Sequence, residues 1–180
     1  DYPEFLKPCL ATIGMDEDAH RVVGTYMMTI KGQLMFISDA TINIYPDART
    51  LAEIAVQTAR VARRFGIEPR VALLSFSNFG SSSQYRSERI EDSLEMAREL
   101  DPSLIIDGPM QADTALVPSI QEQYPFMTLG GPANVLICPN LASANISYKL
   151  LQRLGDAEMT GPILEGMAKP VHVLQREDGV

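Results

Sequence analysis

At 180 residues, with 46% hydrophobic and 21% charged residues, the chain is long enough for one compact domain with a real core and has an ordinary globular composition. A net charge of -8 with only 15 basic residues argues against a nucleic-acid partner, which requires clustered Lys and Arg. A nucleotide-like ligand stays open, because one or two placed arginines and backbone amides hold a phosphate. Cys9 and Cys138 show no metal or redox spacing and read as free thiols of a reducing cytoplasm. Apolar runs such as Val71 to Leu74 stop within a strand's length, so no membrane span is expected. The opening Asp1-Tyr2-Pro3-Glu4 has neither a starting Met nor a signal-peptide pattern, so the chain is expected to be an incomplete piece.

In chain order, residues 1 to 20 read as a lead-in with one short helix around Glu4 to Ala11. Arg21 to Ile30 is rich in β-formers, and Lys31-Gly32 turns it into Gln33 to Ser38, a hairpin. A helix begins near Thr50, where Thr50 and Glu53 have capping-box spacing. Leu51, Ile54, Ala55, Val61, Ala62 and Phe65 share its inward face, and the Thr58 hydroxyl is expected to bond back one turn. Arg60, Arg63 and Arg64 take the solvated side, and Gly66 ends it. Val71 to Phe76 is a covered strand. A helix follows from Ser83 to Leu100 with Ile90, Leu94, Ala97 and Leu100 inward, then a strand from Leu104 to Asp107. Gln111 to Gln123 reads as helix restarted at Pro118, Val135 to Cys138 as a buried strand, and Asn140 as the cap of a helix closed by Gly155. Val171 to Leu174 is the last expected strand. Such alternation predicts one α/β domain over residues 1–180, three-layered, with a mainly parallel sheet, crossover helices and an attached antiparallel hairpin.

Parallel sheets bind ligands beyond the carboxyl ends of their strands, which is where Ser75 to Ser82, Asp107-Gly108 and Pro139-Asn140 fall. Ser77, Asn78, Gly80 and Ser81 offer hydroxyls, an amide and a glycine before a helix start, equally an anion site or a Ser-rich capping turn. Gln111 and Asp113 read as helix caps, and Asn134, Asn140 and Asn145 equally as turn or cap residues and as side chains able to hydrogen-bond a ligand. His172 reads as a core histidine, Met27-Met28 as core packing, and His20 beside Asp16 to Asp18 lacks a second strong metal ligand. No Rossmann fingerprint or Walker loop is present, so NADP is not expected to bind in the usual manner.

Four motifs stand in order: SFSNFGSS, DGPMQADTALVP, NVLICPNLASANISYKLLQRLG and GPILEGMAKPVHVLQR. Together they resemble the phosphotransacetylase family of phosphate acetyl- and butyryltransferases, and more closely its version fused behind bacterial NADP-dependent malic enzymes. The resemblance implies that Ser77, Gly80 and Ser81 match a Ser-Thr-Lys-Gly-Ser loop holding the acyl phosphate, with Asn78 in place of Thr and Phe79 in place of Lys. It implies that Arg176 grips phosphate, and that Gln175 stands where catalytic members carry Ser. Gln has no hydroxyl to reproduce that role. The family's catalytic Asp would lie past Val180. The implied function is a regulatory acetyl-CoA-binding domain of a malic enzyme without acetyltransferase activity of its own. An active phosphate acetyltransferase and a purely oligomerising domain are the alternatives. The implied effector is acetyl-CoA and the implied assembly a homo-oligomer, with NADP and a divalent metal only in a missing malic enzyme part.

Overall fold

The computed structural model describes residues 2–17, 19–81 and 88–171. Six strands form one sheet: β1 (Val23–Ile30), β2 (Gln33–Ser38), β3 (Arg70–Leu74), β4 (Ile105–Met110), β5 (Val135–Ile137) and β6 (Glu158–Glu165). Their spatial order is β4-β3-β5-β2-β1-β6. The pairs β3–β4, β3–β5 and β2–β5 are parallel, while β1 runs antiparallel to both β2 and β6. The helices are α1 (Tyr2–Thr12), α2 (Ala48–Arg64), α3 (Glu88–Leu100), α4 (Ala112–Leu116), α5 (Pro118–Gln121) and α6 (Leu141–Leu154).

The alternation of each strand divides the core into two layers of side chains. Phe36, Val71, Leu73, Val135 and Ile137 point to one face and pack with Leu51, Ile54, Ala55 and Ala59 of α2 and Ile90 and Ala97 of α3. Met35, Ile37, Ala72 and Leu136 point to the other and pack with Ala144 and Tyr148 of α6 and Ala115 of α4. This is the three-layer α/β architecture that the alternation predicts.

The hairpin is in register as expected. Ile30 pairs with Gln33, and Lys31 and Gly32 both take positive φ (51° and 75°), the backbone of a type I′ turn. It is no appendage, because β2 pairs with β5 and so sits inside the sheet.

Several boundaries differ. The cap of α2 is Asp47, not Thr50. Asp47 has extended backbone and its carboxylate accepts the Thr50 N–H at 2.8 Å, so the helix starts one turn earlier. Glu53, the other half of the expected capping box, instead receives Arg49 Nε at 3.0 Å. Thr58 donates to the Ile54 carbonyl at 2.7 Å as expected, whereas Phe65 is 49% exposed and Leu100 39% exposed.

β6 has no counterpart in the sequence reading, which passes from the helix closed by Gly155 to a last strand at Val171, and it contains Gly161-Pro162. As an edge strand it pairs only with β1, so a residue without an N–H is tolerated there. The register shift opposite, between Thr25 and Met27, marks the irregularity. Val171 is buried outside any strand, and residues 172–174 of the expected last strand lie outside the described residues, as does His172.

Candidate functional site

The carboxyl ends of β3, β4 and β5 bring the first three motifs together. Leu74 leads into the loop 75–81, whose base is fixed by the Ser75 N–H donating to the Met110 carbonyl (2.7 Å) and the Phe79 N–H donating to the Pro109 carbonyl (2.7 Å). β4 runs three residues past the expected Asp107 to make these contacts. Gly108 permits it: its φ is +146°, and a Cβ there would lie 2.6 Å from the Leu73 carbonyl oxygen.

Asn78 and Gln111 form the polar centre. The Gln111 N–H donates to Asn78 Oδ1 at 2.8 Å, Asn78 Nδ2 donates to Gln111 Oε1 at 3.3 Å, and Gln111 Nε2 donates to the Phe76 carbonyl at 2.6 Å. Gln111 occupies the N-cap position of α4 but makes no side-chain cap bond, so its amide serves the loop rather than the helix. Asp113 accepts from the neighbouring Thr114 N–H at 2.8 Å.

Phe79 and Gly80 both have positive φ (47° and 72°), so the loop turns through a left-handed pair that presses the Phe79 ring inward. The ring lies 5.2 Å from that of Tyr124 and 4.9 Å from that of Phe126, and Asn78 Nδ2 also donates to the Tyr124 hydroxyl at 3.1 Å. Tyr124 and Phe126 escaped the sequence reading; an aromatic pair flanking Pro125 in a loop was the available signal. Ser77 is buried and Ser81 exposed, the latter's N–H donating to the Asn78 carbonyl at 2.9 Å. Residues 82–87, where the next helix was expected to start, lie outside the described residues, as do Gln175 and Arg176.

Other conspicuous groups are used by the frame. Asp107 Oδ2 accepts the Thr128 N–H (2.6 Å) and hydroxyl (3.0 Å), and Oδ1 accepts the Gly108 N–H (2.9 Å), which ties the loop behind α5 to β4. Asn134 accepts the Arg70 N–H and donates to the Glu68 carbonyl, Asn140 caps α6 by accepting the Ser143 N–H at 2.9 Å, and Asn145 donates to the Ala40 carbonyl. The Arg89 guanidinium donates to the Pro46 and Pro139 carbonyls and so ties α3 to the loops after β2 and β5. Burial pushes the Cys138 thiol up to about 12 against the opposing Ser143 hydrogen bond, so at neutral pH it is a thiol and no nucleophile. Among the described residues no cluster of three His, Cys, Asp or Glu stands together, and no helix is long and apolar enough to cross a membrane.

This arrangement offers a hydroxyl- and amide-lined loop walled by aromatic rings at the edge of a parallel sheet. The family model "Phosphate acetyl/butaryl transferase" matches residues 1–180. The chain belongs to this family. A phosphate acetyltransferase of Bacillus subtilis is 42% identical over 172 residues, covering 95% of this chain and 53% of that protein. An NADP-dependent malic enzyme of Escherichia coli is 44% identical over 176 residues, 97% of this chain and 23% of that protein. The crystal structure of a phosphotransacetylase from Streptococcus pyogenes superposes with a TM-score of 0.92 at 38% identity, over 99% of this chain and 55% of that one. The chain thus spans about half the length of the Bacillus subtilis phosphate acetyltransferase and about a quarter of the Escherichia coli malic enzyme. Similar identity to both kinds of relative leaves the choice between them to the site.

Proposed function

We propose that this phosphate acetyl/butyryltransferase-family domain binds acetyl-CoA at the carboxyl ends of β3, β4 and β5 and does not transfer the acetyl group. In this reading it is the acetyl-CoA-sensing domain of a cytoplasmic malic enzyme, and NADP and a divalent metal belong to a part outside this chain. The carrying observation is Phe79. The loop places an aromatic ring, packed on Tyr124 and Phe126, at the position where the family resemblance expects a lysine. A ring contributes no charge to a phosphate, so the anion affinity needed to hold acetyl phosphate is weakened. Ser77, Asn78, Gly80, Ser81 and Gln111 supply the neutral hydrogen-bonding wall, and Gln175 and Arg176 are included as the motif's continuation. Residues 1–180 are taken as one domain of a larger fold and a larger fused protein. Association with further copies is part of the proposal, supported by the exposed Ile146, Leu150 and Leu154 one helical turn apart on α6.

The second reading, an active phosphate acetyltransferase, is favoured by the 42% identity to the Bacillus subtilis enzyme. There the acetyl group would pass from the CoA sulfur to a phosphate oxygen, and CoA would leave as the thiol. Calorimetric titration with acetyl-CoA, followed by assay of thiol release with phosphate, separates the two. Tight binding without thiol release supports the sensor; release proportional to protein concentration supports the transferase; absence of binding refutes both. Arg176→Ala is expected to weaken acetyl-CoA binding at least about tenfold, the loss of one charge-assisted hydrogen bond.

A further inference from the structure

The loops after β3 and β4 lie towards one edge of the sheet, whereas β6 forms the other edge, with β5, β2 and β1 between. Beside β6, between the second half of α2 and the chain from Ile163 to Val171, opens a cleft of about 660 Å³. That size is typical of small-molecule sites, which run from about 300 to 1,000 Å³. Among the described residues four cations line it, Arg60, Arg63, Arg64 and Lys169, against two carboxylates, Asp16 and Glu165. The described lining thus carries two more positive than negative charges (four minus two), whereas the chain as a whole has a net charge of -8. Arg63 is engaged by Asp101 at 2.7 Å and Arg64 by Glu165. Arg60 and Lys169 are exposed and have no ion-pair partner among the described residues. The Phe65 ring, 49% exposed and packed on one side against Phe36, also lines the cleft, with Val61 and Met167 among its apolar residues.

We infer that this cleft is a second binding site, separate from the loop site, for a phosphorylated small molecule with a flat ring, a ligand of the nucleotide class. Arg60 and Lys169 meet the phosphate oxygens, where charge-assisted hydrogen bonds are stronger than neutral ones. Phe65 offers the ring a stacking face, an interaction indifferent to which base it is. Glu165 does not oppose the ligand with an unpaired charge, since Arg64 holds it.

The test is calorimetric titration of the 180-residue chain with ADP and, separately, with pyrophosphate. Saturable ADP binding is expected. Arg60→Glu and Lys169→Glu should each weaken it at least about tenfold. Phe65→Ala should weaken ADP at least about fivefold and leave pyrophosphate unchanged. Both charge reversals fall on exposed side chains, and circular dichroism checks that the fold survives them. The inference is overturned if ADP shows no saturable binding or if its affinity survives both reversals.

Discussion

Phe79→Lys puts back the ammonium that the family loop carries, and it should move stability and ligand affinity in opposite directions. The Phe79 ring has two aromatic partners, Tyr124 at 5.2 Å and Phe126 at 4.9 Å between centroids. Aromatic pairs of this geometry contribute about 0.5–1.5 kcal/mol each beyond their buried area, so losing both costs about 1–3 kcal/mol. In a domain of this size one kcal/mol corresponds to about 2–4 °C, so a fall in melting temperature of about 2–12 °C is expected. The new ammonium, held by the same left-handed backbone, gains a charge-assisted contact of about 1.5–3 kcal/mol to any phosphate at the loop, roughly a ten- to hundredfold rise in affinity. Thermal unfolding measures the first effect and calorimetric titration with acetyl phosphate the second. A variant as stable as the parent would mean that the aromatic cluster does not hold the loop. A destabilised variant that binds acetyl phosphate no better would remove the loop from the ligand site.

Asp47→Ala removes the side-chain cap of α2 and should cost about 0.5–2 kcal/mol in urea unfolding, at the low end because the carboxylate is exposed, while Asp47→Asn keeps most of it. The Thr50 hydroxyl and N–H hold the Asp47 carboxyl below its ordinary value. This contribution is therefore full above about pH 4 and fades as the pH falls through the depressed value. Burial raises Asp101, but the Ser103 and Arg63 bonds outweigh it and the net shift is downward. Arg63→Gln should accordingly flatten the acid limb of the stability–pH curve below about pH 4 and leave its neutral slope alone. Asp107→Ala strips three hydrogen bonds from the Gly108 and Thr128 groups and should destabilise by about 2–5 kcal/mol, with the Thr128 amide losing hydrogen-exchange protection first.

The parts of the fold legible in sequence were those written in local periodicity. The turn Lys31-Gly32, the strand cores 71–74 and 135–137, the restart at Pro118 and the Asn140 cap each announce themselves within a few residues. What escaped depends on a neighbour. β6 contains Gly161-Pro162, which locally reads as a break and becomes a strand only because β1 offers an irregular edge to pair with. The start of α2 was misplaced for a related reason. Asp47 and Thr50 both have cap chemistry, and only the extended backbone at Asp47 decides between them.

The site divides along the same line, between chemistry and position. Residue type alone made Gln111 a helix cap. Its side chain is instead fixed by Asn78 and Phe76, thirty-odd positions upstream, through β4 lying beside β3. The asparagines 134, 140 and 145 remained open in sequence because an amide serves a frame and a ligand equally well, and the structure finds all three bonded to the frame. Phe79 reverses the lesson. Its departure from the family pattern was readable at once, but its consequence was not, since that depends on Tyr124 and Phe126 meeting it across the loop. A substitution that only deleted a lysine would leave a weak anion site. One that also builds an aromatic wall and draws Asn78 onto Tyr124 gives the loop a shape set by its own side-chain packing. A domain that senses an acyl-CoA rather than turning it over has use for such a loop, because its shape then does not wait on the second substrate.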